Sequence, residues 1–269
     1  MKDKRILFVS SELTPYLPET EVSKMAFEVP KEMHQQGAQI RMFMPRFGVI
    51  NERRHQLHEV IRLSGMNLII NDMDMPLIIK VASIPKERMQ VYFIDNEEYF
   101  KRKSVCRDEN GKLFEDNDER AIFFAKGVVE TVKKLKWAPD IIHVHGWMAS
   151  LLPLYLKEYY KNDPLFADSK IVTSAFNYGD YDIENKKEFV KKIQFDLISD
   201  SKLKPLENGT SNSLLKLAIE NSDAIVKGSE ELPSDITAYI EDQGVPVLDF
   251  QPQDDFSEAY INFYLNKVL

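Results

Sequence analysis

Glycine is scarce in this chain, 10 residues in 269, about half of the average share of ~7%. No glycine is adjacent to another or separated from one by a single residue. Neither a G-x-x-x-x-G-K-[ST] phosphate loop nor a G-x-G-x-x-G dinucleotide fingerprint is therefore present, and a phosphate would have to be held by other means. Cysteine is rarer still. The single Cys106 excludes an intramolecular disulfide framework. Long apolar runs are also missing: PLIIKVASIP, residues 76–85, falls far short of the roughly 20 residues that cross a bilayer. The opening MKDKRILFVSSEL turns polar after a short apolar run, unlike a signal peptide, so the expectation is a cytoplasmic protein with no membrane partner. Positive charge is outnumbered, 35 Lys+Arg against 43 Asp+Glu for a net −8, which argues against a nucleic-acid partner reached by bulk charge.

What is present is the material of a core: 43% hydrophobic residues, with 16 Phe, 11 Tyr and 2 Trp. A length near 270 fits one large α/β domain. Residues 5–10, RILFVS, form a continuous apolar run, as a strand buried on both faces does. Val22, Met25, Ala26, Val29 and Met33 recur at helical spacing up to Gly37, predicting a helix with Pro30 inside it. QIRMFMP then predicts a second strand and completes a right-handed βαβ unit. Residues 51–95 read as β-rich pieces, LHEVIRLSG, NLII, MPLIIKVASI and MQVYFID, in an antiparallel excursion. A helix over 117–136 capped by Asp116 or Asn117, the strand DIIHVH, a helix in MASLLPLYLKEYY and the strand KIVTSAF resume the alternation. After the polar stretch 178–209 come a helix at 212–221, the strand AIVKG, a short helix near 233–241, the strand VPVLDF and a final helix over 255–268. The expected class is α/β, a doubly wound, mainly parallel, Rossmann-like sheet.

Several residues suggest chemistry. His143 and His145 lie two apart on a strand, so both imidazoles face one side, as some metal sites require. No third ligand stands at suggestive spacing, and histidines at the carboxyl end of a parallel strand more often line a ligand crevice; the expectation is no metal. The pairs Glu97/Glu98 and Asp254/Asp255 read as helix-start carboxylates favoured by the dipole, not as acid/base pairs. The basic flanks of Cys106 in KRKSVCRDEN could lower its pKa, but a nucleophilic role is outweighed by a structural one. The run KRKS at 101–104 reads as a solvated loop face. Ser10 and Ser11 end the first strand, where open α/β sheets place ligand-binding groups.

Taken together, RILFVSSELTPYLPETEVSKMAFEVPKEMHQQGAQIRMFMPRFGVI, the 117–130 helix, PDIIHVHGWMASLLPLYL and the strand ending at Asn177 resemble the N-terminal half of bacterial glycogen and starch synthases. These are ADP-glucose-type glycosyltransferases. The match is fainter through SLLKLAIENSDAIVKGSEELPSDI and covers about residues 5–240. The resemblance implies the GT-B fold, two Rossmann-like domains facing across a cleft, of which residues 1–269 would supply the first. The terminal helix, 254–269, is similar to one that packs back on that domain. It also implies glucose transfer from ADP-glucose to an α-1,4-glucan, with Ser11, Glu12, Tyr16, His145, Trp147 and Asn177 at positions that contact substrate.

Five positions depart from the family pattern. Pro18, Thr20 and Glu21 stand where the family has the lysine and two glycines of Lys-x-Gly-Gly. Gly146 stands where it has the aspartate of His-Asp-Trp, and Phe176 where it has the histidine of Thr-x-His-Asn. A cation and a flexible diglycine are replaced by a proline and a carboxylate, which removes phosphate neutralisation and adds repulsion. The expectation is a catalytically inactive relative with no catalytic residues, no cofactor and, at most, weak binding of a glucan or ADP-glucose. The alternative is a glucan-binding or regulatory module. Tyr16, Trp147, Phe176 and Tyr178 would form a bare aromatic edge unless the chain's own segments, a second copy or another partner covered them, and cover by its own segments or self-association is favoured.

Overall fold

The computed structural model describes residues 1–177, 183, 185–207, 212–252 and 256–269. Its strands are β1 (Arg5–Ser10), β2 (Gln39–Pro45), β3 (His58–Glu59), β4 (Met66–Ile70), β5 (Met73–Ser83), β6 (Gln90–Asp95), β7 (Ile141–His145), β8 (Lys170–Ala175), β9 (Ala224–Lys227) and β10 (Val247–Leu248). Its helices are α1 (Glu21–Gln35), α2 (Glu52–His55), α3 (Glu97–Phe100), α4 (Asn117–Leu135), α5 (Leu152–Lys157), α6 (Lys186–Gln194), α7 (Lys204–Glu207), α8 (Ser213–Glu220), α9 (Ser234–Asp242) and α10 (Phe256–Phe263).

One sheet runs in the order β10-β9-β8-β7-β1-β2-β6-β5-β3, with β4 pairing β5 off this path. From β10 to β6 every pairing is parallel. The excursion β3–β4–β5 pairs antiparallel and returns to β6. This is the doubly wound, mainly parallel α/β class. From β1 the chain steps outward through β2 to β6 and later, from β7, outward the other way. The direction reverses between β1 and β7, and the carboxyl ends of those two strands are where such a sheet forms its crevice. Strand β7 is buried at all five residues, since helices cover both faces of a central parallel strand.

Several local expectations are corrected. Of LHEVIRLSG only His58 and Glu59 pair as a strand, because this short edge piece meets β5 over two residues only. The helix expected in MASLLPLYLKEYY opens as a 3-10 turn at Trp147–Leu151 and ends at Lys157. Asp116 precedes α4 without a side-chain cap bond, because its carboxylate takes the Arg102 guanidinium at 2.6 Å. That ion pair also makes the 101–104 run less solvated than expected. Glu97 and Glu98 occupy the first turn of α3, whose cap is Asn96, with Oδ1 accepting from the Glu98 and Tyr99 amides at 2.9 and 3.1 Å. Cys106 is buried, and burial pushes its thiol pKa up against the pull of Arg107 and Arg120, the reverse of activation. Asp254 and Asp255 lie outside the described residues.

Among the described residues no helix is long and apolar enough to cross a membrane. Helix α10 continues into a π-helical turn at Tyr264–Val268. Tyr260 and Tyr264 from this segment pack fully or almost fully buried, with their rings 6.3 and 5.8 Å from the His143 ring.

Candidate functional site

The crevice is built from four strand ends. Ser10 and Ser11 close β1, and Ser11 N donates to His145 O at 2.9 Å, tying β1 to β7 past their paired register. Ser11 Oγ, fully buried, accepts from the Met148 and Ala149 amides at 2.8 and 3.3 Å. It thereby satisfies the free N–H groups that open the Trp147 turn, the ordinary role of a serine at a helix start. Gly146 makes this approach possible. Its backbone lies at φ 89°, and a Cβ there would meet Ser11 Oγ at 2.6 Å and Ser11 Cβ at 2.7 Å. A side chain at position 146, aspartate included, is incompatible with this backbone.

Thr20 and Glu21, which the resemblance sets at the diglycine, form the start of α1. Thr20 is the N-cap of α1: its Oγ1 accepts from Ser23 N at 3.0 Å, and Ser23 Oγ accepts from Thr20 N at 2.8 Å, a reciprocal capping box. Thr20 Oγ1 also donates to Glu12 Oε2 at 2.6 Å, and the Pro18 carbonyl accepts from Ser23 Oγ at 3.0 Å. Glu21, in the first turn, accepts a short hydrogen bond from Ser229 Oγ. The same Ser229 oxygen accepts from the Asn177 amide at 3.0 Å. One carboxylate therefore joins the ends of α1, β8 and the turn after β9.

Both histidines are sealed. The His143 nitrogens lie 2.5 Å from the Tyr264 hydroxyl and 2.7 Å from Ser174 Oγ. A neutral imidazole has one donor and one acceptor, so one hydroxyl accepts and the other donates. His145 is 1% exposed, and among the described residues neither ring nitrogen has a hydrogen-bond partner. Its ring lies 4.2 Å from His143, 6.0 Å from Phe8 and 6.0 Å from Phe176. Burial among these rings holds the His145 pKa down at about 3. Burial, with His145 as the smaller cause, lowers His143 well below the usual range. Neutral imidazoles are metal ligands in principle, but among the described residues no group of three or more His, Cys, Asp or Glu could hold an ion.

The aromatic edge is covered, as the favoured expectation had it, for the residues that are described. Tyr16, Trp147 and Phe176 are buried. Phe176 packs beneath Gly228, where a Cβ would come within 2.6 Å of its ring. Tyr178 lies outside the described residues. Of the six substrate positions the resemblance implied, Ser11, Tyr16, His145 and Trp147 are buried, Glu12 is half-buried and Asn177 is exposed. The fold gathers Ser11, Glu12, His145, Trp147 and Asn177 along the ends of β1, β7 and β8, while Tyr16 packs apart from them, against His55 of α2 and Phe93 of β6. Ser229, Ser174 and Tyr264 escape sequence reasoning: each meets its partner across a long separation, 208 residues for Ser229 and Glu21, with no local pattern to mark it.

The sequence profile of the starch synthase catalytic domain matches residues 5–245. The glycogen synthase of Chlorobium limicola (strain DSM 245 / NBRC 103803 / 6330) is 39% identical over 174 residues, 64% of this chain and 36% of that protein. That of Chlorobium luteolum (strain DSM 273 / BCRC 81028 / 2530) is 33% identical over 230 residues, 85% and 46% respectively. The matched stretches thus span less than half the length of these relatives. The catalytic domain of starch synthase IV from Arabidopsis thaliana, solved with ADP and acarbose bound, superposes with a TM-score of 0.71 at 15% identity, covering 93% of this chain and 51% of that one.

Proposed function

The chain belongs to the family of the starch synthase catalytic domain, and on that premise we propose that it is a glucosyltransferase relative whose transfer site is closed by its own side chains. The observation that carries this reading is the Glu21 carboxylate at the start of α1, held by Ser229. A helix N-terminus is a ready anion site, through its free N–H groups and its dipole. Here the Ser23 amide of the first turn is spent on the Thr20 cap and the dipole on a resident carboxylate, so a sugar nucleotide's pyrophosphate meets fixed negative charge. Pro18 supplies no ammonium to offset it.

Three further groups support the reading. Gly146 cannot be replaced by a sugar-binding carboxylate at its present backbone angles. Phe176 offers no hydrogen bond. His145 lies under Phe176, out of reach of solvent. Losing one preorganised transition-state contact costs roughly 10²–10³ in rate, and several are absent together. In this reading residues 1–269 act as one unit, with the described part of the terminal segment, 256–269, closing over the His143 face, and the role is one of binding or regulation.

With ADP-glucose and glycogen, the purified protein is expected to release no ADP above the blank. Glycogen-dependent release that His145→Ala abolishes would overturn the reading. Replacing Pro18 by lysine alone is expected to restore nothing, since Glu21 still occupies the helix end. A second expectation concerns glucan. Both tryptophans, Trp137 and Trp147, are 7% exposed or less, so neither presents a face for sugar stacking. Titration with maltooligosaccharides should leave tryptophan fluorescence flat. A saturable change that disappears in Trp147→Ala would instead favour the glucan-binding alternative.

A further inference from the structure

Away from the closed crevice lies a cavity lined by cations. It has a volume of about 540 Å³, within the usual range for small-molecule sites, and opens between α2 and the β5–β6 turn. Arg54, His55, Lys86, Arg88 and Gln90 line it together with Tyr16. Arg54, Lys86 and Arg88 are exposed, and no carboxylate pairs with them among the described residues. Two acidic residues close in sequence leave them unneutralised: Glu52 is taken by Arg46 and by Lys80 at 2.7 Å, and Glu87 does not line the cavity. Lys86 and Arg88 hold left-handed backbone, φ 72° and 56°, so this charged turn keeps its shape without the glycine such angles favour.

Tyr16 provides an independent observation. Only 5% exposed, it packs against His55 and Phe93 at ring distances of 5.0 and 4.9 Å. Its hydroxyl is buried and, among the described residues, has no hydrogen-bond partner. A buried hydroxyl left unsatisfied is costly and calls for an explanation. Burial also pushes its pKa up to about 12, so it remains a proton donor. Unpaired cations beside an unsatisfied donor are the complement of a compact dianion. Guanidinium forks match phosphate oxygens in bidentate fashion, while an ammonium neutralises them as a point charge. The neutral amide of Gln90 suits a hydroxylated remainder.

We infer that this cavity binds a small phosphomonoester, with Arg54 and Arg88 clasping the phosphate, Lys86 neutralising it and the Tyr16 hydroxyl, sealed in the cavity wall, turning to donate to it. The site stands whether or not the protein transfers glucose, and Tyr16 links it to the loop that leads into α1. Calorimetry at about 0.15 M salt, where exposed charges farther apart than ~8 Å are screened, provides the test, with glycerol 3-phosphate as probe and glycerol as its uncharged counterpart. Saturable binding of glycerol 3-phosphate at millimolar concentration or below is expected, with none for glycerol and competition by inorganic phosphate. Arg54→Ala/Arg88→Ala, two exposed positions that leave the fold intact, is expected to weaken binding at least about tenfold, the scale of charge-assisted hydrogen bonds. Tyr16→Phe, which removes one oxygen, is expected to weaken it about threefold or more. No saturable binding, or equal weakening by the remote Lys191→Ala, would overturn the inference.

Discussion

Lys126→Met is expected to lower the free energy of unfolding by about 3–5 kcal/mol, the cost of leaving one member of a buried ion pair without its partner. Lys126 in α4 and Asp196 just beyond α6 are 4% and 7% exposed at the side chain, with Nζ and Oδ1 2.6 Å apart. The Lys126 ammonium also donates to Ile69 O at 2.8 Å, and Asp196 Oδ2 accepts from the Tyr155 hydroxyl at 2.6 Å. Four parts of the molecule, β4, α4, α5 and the α6 region, therefore meet at one charge pair. Removing the ammonium leaves the carboxylate in an apolar setting with a single hydroxyl donor. The double variant Lys126→Met/Asp196→Leu is expected to recover most of the loss, because a matched apolar pair replaces a buried ion pair at little cost. Urea unfolding of the two variants decides the matter: a single-variant loss below about 1 kcal/mol, or a double variant no more stable than the single, would contradict it.

Acid should destabilise this protein well above the pH at which carboxylates protonate. His143 and His145 are held neutral by burial, the latter with a pKa of about 3, whereas an unfolded chain protonates histidine near 6.5. Between these values the unfolded state binds the extra protons, so stability is full above about pH 6.5 and declines as pH falls toward 3. The slope is about 1 kcal/mol per pH unit for each histidine. Two such groups acting over two pH units remove a large part of the 5–15 kcal/mol typical of a domain. Asp95 and Asp118, whose pKa values burial raises, act with the opposite sign, so the comparison that isolates the histidines is with His145→Leu. That variant deletes an imidazole that forms no hydrogen bond among the described residues and is expected to show a visibly flatter stability profile between pH 6.5 and 4.5. A profile unchanged by the substitution would show that His145 is not the group that titrates.

The sequence by itself determined the class of fold, because the class follows from local patterns. The apolar runs of β1, β2, β7 and β8 and the helical spacing of α1 and α4 were legible where packing demands them, on strands covered on both faces and helices with one buried side. Family membership was equally legible, since it is carried by contiguous motifs such as PDIIHVHGWM. Short edge elements such as β3 were poorly legible, being set by a partner strand and not by their own residues. The structural role read for Cys106 stands, but its cause was not legible: its basic neighbours in sequence matter less than the desolvation that the fold imposes. The state of the site was decided by the tertiary structure alone. That Glu21 reaches Ser229, that Phe176 fits under Gly228, that Tyr264 meets His143, and that Tyr16 ends beside Arg54 and Arg88 are contacts between residues far apart in the chain. Hydrogen bonding and desolvation act over a few ångströms in space, and only the folded sheet brings these groups within that range.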